Sequence, residues 1–335
     1  MKTSRTKCVI AHRGASGYLP EHSLAAKAMA FAQGADFLEQ DLVMTADDRL
    51  VVLHDRFLDR VTDVADQFPG RQRDDGRFHV VDFELEEIRW LRMMERFVVR
   101  DGVRHAVFPG RFPLGDSTFR VNTFEEEIEF VLGLNKSCGR QAGIYPEIKS
   151  PGYFHNEGKD IAEATLEILK RYGYTKPEDP VFFQCFDADE LKRVRNELLP
   201  ELGMSVRLVQ LIAYNDWHEV IDYKNKQNID CEWMLQPGAM GEIASYADAV
   251  GPHYSMLVTG MREAEQAIPN HITAEAHREH LEVHPFTFRK EPDEMPAYAK
   301  GSFEHFLEIF YNKIGVDGLF TDFPDLAVTF LKKQG

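Results

Sequence analysis

Four short runs of this chain combine proton-handling, acidic and cationic residues: His12-Arg13, Glu39-x-Asp41, His54-Asp55 and Glu147-x-Lys149. A histidine can take or give a proton near neutral pH. A guanidinium beside it can fork onto phosphate oxygens. Two carboxylates two positions apart on a strand point to one side. That is unfavourable unless water, a basic residue or a cation lies between them. Hard oxygen donors of this kind suit Ca2+ or Mg2+. Glu147 can add a third carboxylate to Glu39 and Asp41, and Lys149 a second positive group for an anion. Taken singly, each run also has a purely structural reading: a strand-end histidine bonded to backbone, a solvated strand end, or an ion pair within a sheet. Taken together they are the toolkit for cleaving a phosphodiester. They supply charge neutralisation, positioning, a base for the nucleophile and an acid for the leaving alkoxide.

For these runs to meet, the fold must gather four strand ends. Short β-branched or aromatic runs recur at 8–12, 36–41, 143–148, 181–186, 205–212, 247–252, 281–288 and 318–323. Helix-like stretches separate them. Residues 23–34 and 158–173 each end in glycine, as helices often do. Residues 187–199 open on Asp187 with Glu190 three positions on, the spacing of a capping box. Strand–helix alternation implies a parallel sheet, and eight units imply closure into a (β/α)8 barrel of the TIM type. A doubly wound open sheet is the alternative, but His-Arg-Gly stands where a dinucleotide-binding fold would carry its glycine fingerprint.

Two stretches break the alternation. Residues 50–55, LVVLHD, read as a strand hairpinned onto the second one. Residues 56–117 are turn-rich and charged, with a helix expected over 83–97. Barrels of this type need about 250 residues, so 56–117 is expected to be an insertion after the second barrel strand. As a small subdomain it would cap the mouth of a single barrel domain spanning 1–335.

Composition narrows the partners. The 335 residues carry a formal net charge of −16, which disfavours nucleic acid and anionic membrane surfaces. No apolar run reaches the roughly 20 residues of a spanning helix, so no membrane insertion is expected. The start, MKTSRTKCVIAHRG, has no apolar leader segment. That fits a cytoplasmic protein, or a mature form without its leader. Cys8, Cys138, Cys185 and Cys231 lie far apart and are read as buried thiols, with no zinc site. A homodimer is left open.

The combined runs resemble a known family. His12-Arg13-Gly14, Pro20-Glu21-His22-Ser23, Glu39-x-Asp41 and His54-Asp55-x-x-Leu58-x-Arg60-x-Thr62 look like the N-terminal signature of glycerophosphodiester phosphodiesterases. Thr123-Phe124-Glu125-Glu126, Glu147-Ile148-Lys149 and the run 315–324, GVDGLFTDFP, extend the likeness over essentially the whole chain. The long insertion, with YPEIK, QCFDADEL and VHPFT, is most similar to the larger bacterial periplasmic type. One departure is Pro-Glu-His-Ser where the family more often has Pro-Glu-Asn-Thr. It leaves Ser23 as a helix cap and His22 without an assigned role.

The resemblance implies metal-dependent hydrolysis of glycerophosphodiesters to an alcohol and sn-glycerol 3-phosphate. His12 and His54 would be the acid–base pair. Glu39, Asp41 and Glu147 would hold Ca2+, or Mg2+ as the second choice. Arg13 and Lys149 would hold the phosphate, and Gln184, Phe186 and Phe286 would line the glycerol end unless they only pack the core. The glycerol 2-hydroxyl would attack phosphorus and expel the head-group alcohol, and water would open the resulting cyclic phosphate. The compartment implied is the periplasm, with the cytoplasm as alternative. Two rival readings are a phospholipase of the same barrel type and a surface binding protein that has lost catalysis.

Overall fold

The structure is a computed structural model that describes residues 7–115, 118–259 and 266–334. Residues 1–6, and residues 116–117 at the end of the expected insertion, lie outside that range.

Eight parallel strands form the expected barrel. They are β1 (Cys8–Ala11), β2 (Phe37–Met44), β3 (Gly143–Ile148), β4 (Phe182–Cys185), β5 (Arg207–Ile212), β6 (Ala249–Pro252), β7 (Glu282–Val283) and β8 (Gly318–Thr321). Neighbours pair in sequence order from β2 through β7, and β1 lies between β2 and β8. The ring closes through backbone bonds between the last two strand segments: Asp317 N to Val283 O at 3.0 Å, Phe320 N to Pro285 O at 3.0 Å and Phe288 N to Phe320 O at 2.8 Å. Each of the eight sequence-predicted strands is present.

Two cores follow from the alternation of side chains. Inward residues Ile10, Tyr145, Phe182, Val209, Ala249 and Phe320 fill the barrel, and Tyr145 Oη lies 2.8 Å from His284 Nδ1. Outward residues of the same strands pack under the helices in a much larger cluster. A Cβ on Gly143 would lie 2.4 Å from the Phe37 ring, so only glycine lets β3 approach that ring.

Several helices begin where short polar side chains satisfy free N–H groups. Ser23 caps Leu24–Gln33, and Gly34 ends it at φ 100. Thr123 and Glu126 form a capping box on Phe124–Cys138, and Asp160 caps Ile161–Arg171. Asp187 caps Ala188–Arg193 as expected, but Glu190 does not complete a box. Its carboxylate instead takes two bonds from Arg193.

The inserted stretch departs from expectation. Helix covers only Leu85–Trp90, not 83–97. Past it the chain is extended, and Met93 bridges Thr62 and Phe119. Phe97–Arg100 and Val103–Ala106 then form an antiparallel hairpin. Asp101 and Gly102 turn it with φ of 51 and 74, the left-handed pair that a two-residue hairpin favours. The β-branched runs flanking Asp-Gly carry this signal, and pairing overrides the helical spacing of the apolar residues. The expected hairpin strand is present: Leu50–Val52 pairs antiparallel with β2. The four cysteines are free, but only Cys185 and Cys231 are buried, while Cys8 is half-buried and Cys138 exposed. Cys138 is the last residue of the helix Phe124–Cys138, in a run of exposed residues, 136–139.

Candidate active site

Strand register gathers the chemistry. Ala11 of β1 lies opposite Thr321 of β8, so the next residues, His12 and Asp322, come side by side. His12 Nδ1 lies 2.6 Å from Asp322 Oδ1. Arg111 and Arg289 both donate to Asp322 Oδ2, at 2.7 and 2.8 Å. Burial opposes ionisation of Asp322, but Arg289, His12 and Arg111 hold its carboxyl well below the usual range. An ionised carboxylate can only accept, so His12 donates from Nδ1 and presents Nε2 as the free base. Burial first, then the neighbouring Arg13, lowers the His12 pKa to about 4.

The His-Arg-Gly turn fixes the direction of Arg13. Arg13 and Gly14 both have positive φ, 58 and 85, and a Cβ on Gly14 would lie 2.8 Å from the Ala26 backbone. This tight turn aims Arg13 N at Glu39 Oε2, 2.6 Å away, and sets its guanidinium against Glu21 at 3.1 Å and Asp41 at 3.5 Å.

His54 comes just after the hairpin strand and repeats the pattern of His12. Its Nδ1 lies 2.6 Å from Asp55 Oδ1. Burial, Arg13 and Lys149 together lower its pKa to about 3. Asp55 is in turn held by Arg96 at 2.8 Å, and Arg96 also forks onto Glu21 at 2.6 and 3.0 Å.

The carboxylates gather on one side. Asp41 lies opposite Glu147 across β2 and β3, and Glu147 opposite Gln184 across β3 and β4. One oxygen from each of Glu39, Asp41 and Glu147 falls within 4.8 Å of the others, and the three side chains are buried. Burial and then Asp41 raise the Glu39 pKa well above the ordinary carboxylate range. Burial lifts Glu147 to about 8 against the pull of Lys149, whose Nζ is 2.7 Å away. Asp41 stays well below, since Lys149, His54 and the His22 hydrogen bond outweigh its burial. Two buried oxygens of the cluster, Asp41 Oδ1 and Gln184 Oε1, have no hydrogen-bond donor. Three acidic oxygens converging beside a spare amide oxygen, with two carboxyls pushed toward their neutral forms, fit a hard divalent cation.

All the sequence-predicted site residues border one cavity of about 200 Å³. His12, Arg13, His54 and Lys149 ring its polar side with the three carboxylates, and Gln184, Phe186 and Phe286 form part of its floor and apolar wall. The Phe186 and Phe286 rings meet edge to face at 5.9 Å. His22 now has a place: its Nε2 lies 2.7 Å from Asp41 Oδ2 in full burial.

Sequence reading missed the supporting residues. Asp322 stood in the closing motif without a role. Arg289 borders the cavity, and Trp217 and Glu219 enter it from the loop after β5. Arg96 and Arg111 come from the inserted stretch. Nothing in their local spacing marks them, because their partners are remote in sequence.

Comparison with known proteins agrees with this geometry. The model of the "Glycerophosphoryl diester phosphodiesterase family" matches residues 12–326. A glycerophosphodiester phosphodiesterase of Haemophilus influenzae is 52% identical over 334 residues, covering 97% of this chain and 90% of its own. One of Treponema pallidum is 45% identical, covering 98% of this chain and 92% of its own. Among solved structures, an Oleispira antarctica phosphodiesterase in complex with the product sn-glycerol-3-phosphate aligns over 98% of this chain and 97% of its own, with a TM-score of 0.62 at 17% identity. With the family model spanning the barrel from His12 to the last helix and relatives matching nearly end to end, the chain belongs to the glycerophosphoryl diester phosphodiesterase family.

Proposed function

We propose that this chain hydrolyses glycerophosphodiesters to an alcohol and sn-glycerol 3-phosphate, with His12 and His54 as its acid–base pair. The observation that carries this reading is the meeting of two carboxylate-oriented imidazoles and three buried carboxylates on one cavity.

Arg13 and Lys149 bind the phosphate and orient it between the two imidazoles. Both histidines are neutral near pH 7, so either Nε2 can take the proton of the glycerol 2-hydroxyl. The entering phosphate anion offsets Arg13 and Lys149, two of the charges that depress the His54 pKa. Binding therefore favours an imidazolium, which the leaving alkoxide requires. Asp322 and Asp55 hold the rings and stabilise the charge that develops on them. The apolar wall at Phe186 and Phe286 receives the glycerol carbons, and water later opens the cyclic phosphate. Glu39, Asp41 and Glu147 would hold Ca2+, with Mg2+ as the alternative. Such a cation supplies Lewis-acid polarisation of a phosphoryl oxygen when bound.

The inserted stretch is read as a cap on the mouth, since Arg96 and Arg111 reach from it to the carboxylates behind both histidines. The likeness to the larger periplasmic type supports a periplasmic location, which fractionation of the source cell would test. No helix among the described residues is long and apolar enough to cross a membrane. Intact site residues favour catalysis over a binding role alone. An assay coupled to glycerol 3-phosphate release tests the proposal: turnover of glycerophosphocholine that stops with excess EDTA supports it, and no release under any metal condition refutes it.

A further inference from the structure

Two further cavities flank the catalytic one, and their arginines differ. On the side bordered by His12, Arg96, Arg111 and Arg289, in a space of about 210 Å³, every arginine has carboxylate partners. Arg96 bonds Glu21 and Asp55, Arg111 bonds Glu291 and Asp322, and Arg289 bonds Asp322 and Glu294. A second groove, of about 220 Å³, shares His54, Lys149, Trp217 and Glu219 with the catalytic cavity and adds Arg56, Arg60 and Arg77.

There the charges do not cancel. Arg77 is paired with Asp59 at 2.8 Å, Lys149 with Glu147, and Asp55 with Arg96. Arg56 and Arg60 have no carboxylate partner among the described residues, and the groove sets only Glu219 against them. Arg56 is nonetheless fixed. Its guanidinium lies 4.8 Å from the Phe57 ring centre and 5.1 Å from that of Tyr153, and its buried Nε has no acceptor. In a chain with 55 acidic against 39 basic residues, two arginines facing a single free carboxylate beside a phosphodiester site leave a net positive charge that calls for an anion.

We propose that this groove is a subsite for a second anionic group, a phosphate above all, carried by the alcohol half of the diester. The inference rests on the reading of the main cavity as a glycerophosphodiesterase site and names the class of substrate that site would favour. Arg56 and Arg60 supply charge-assisted hydrogen bonds to the distant anion, while Arg13 and Lys149 hold the phosphate that reacts. The subsite acts on binding and leaves the chemical step unchanged.

The test compares glycerophosphoglycerol, glycerophosphocholine and bis(glycerophospho)glycerol, whose leaving alcohol carries a second phosphodiester. The wild type should show a KM for the bis compound about tenfold or more below that for glycerophosphoglycerol. In the Arg56→Gln/Arg60→Gln double variant the two values should converge, with glycerophosphoglycerol kinetics within about twofold of wild type. Should the double variant fail to fold by circular dichroism, Arg60→Gln alone serves, because that side chain is exposed, and it should narrow the gap. Equal KM values in the wild type, or a preference that survives substitution, overturns the subsite. A wild-type preference for glycerophosphocholine that Glu219→Gln abolishes assigns the groove to cations and overturns it as well. Failure to hydrolyse glycerophosphoglycerol at all would instead sink the catalytic reading. Calorimetric titration of the bis compound then still decides: tighter binding to wild type than to the variant supports the subsite, and equal binding refutes it.

Discussion

Arg96 donates to Asp55 Oδ2 at 2.8 Å, on the carboxylate whose other oxygen holds His54 Nδ1 at 2.6 Å. The same guanidinium grips Glu21, the partner of Arg13. One guanidinium thus braces His54 through Asp55 and Arg13 through Glu21, the residues proposed as an acid–base group and a phosphate-binding group. Arg96→Met should lower kcat by about tenfold or more through a looser His54, and Arg96→Lys should recover part of it. Losing one member of a buried pair also costs about 3–5 kcal/mol of stability, so rates must be normalised to folded protein. A kcat unchanged in Arg96→Met would show that His54 needs no such brace.

His12→Ala and His54→Ala should each reduce kcat by about 10²–10⁴-fold, with far-ultraviolet circular dichroism unchanged. The two are not equivalent in cost. His12 is buried against Asp322, which keeps Arg111 and Arg289 when the ring is gone. His54 is 28% exposed at its side chain, so its removal disturbs less packing. Glycerol 3-phosphate release from glycerophosphocholine measures both, and near-wild-type release by either variant removes that imidazole from the mechanism.

The barrel was legible because most strands are compact runs rich in β-branched or aromatic residues and several helices carry their own side-chain caps, Ser23, Thr123, Asp160 and Asp187 among them. The candidate site was legible because strand ends carry its ionisable groups, and in a closed parallel sheet those ends converge on one cavity. Arg96 and Arg111 were not legible. Their partners lie 41 and 211 positions away, and only the folded insertion brings them near. The helix expected over 83–97 fell short for a related reason. Its apolar residues Met93 and Phe97 are spaced four apart, as on a helix, yet they pair with Phe119 and Ala106 in extended backbone.

Divalent cation should stabilise the folded chain whether or not substrate is present. Three carboxyl groups with oxygens within 4.8 Å of one another are crowded without it, and Glu39 and Glu147 are pushed toward their neutral forms. Added Ca2+ at roughly a hundred times its Kd should contribute about 2.7 kcal/mol, read as a rise in Tm that excess EDTA reverses. Asp41→Asn and Glu147→Gln should flatten that rise, and Asp41→Asn should also melt below the apo wild type, because it takes a buried partner from Arg13, His22 and Lys149. A Tm indifferent to Ca2+ and Mg2+ alike would count against a metal at these carboxylates.

Glu95 gives a pH test outside the Glu39–Asp41–Glu147 cluster. It sits in the inserted stretch, 3% exposed, with Oε2 lacking a donor. Burial, then the like charge of Glu21, raises its pKa from an ordinary 4.5 to about 8. Between those values the folded chain holds a proton that the unfolded chain has released. Stability therefore falls as pH rises through that window. Gln cannot ionise, so Glu95→Gln removes this loss. The variant should match wild type in Tm near about pH 4 and pull ahead as pH rises, by about 3 °C or more above about pH 8. Comparing the two proteins at each pH cancels the titration of groups far from position 95. Calorimetric scans across the range decide it: a Tm gap that stays constant with pH would mean that Glu95 releases its proton at the same pH folded and unfolded.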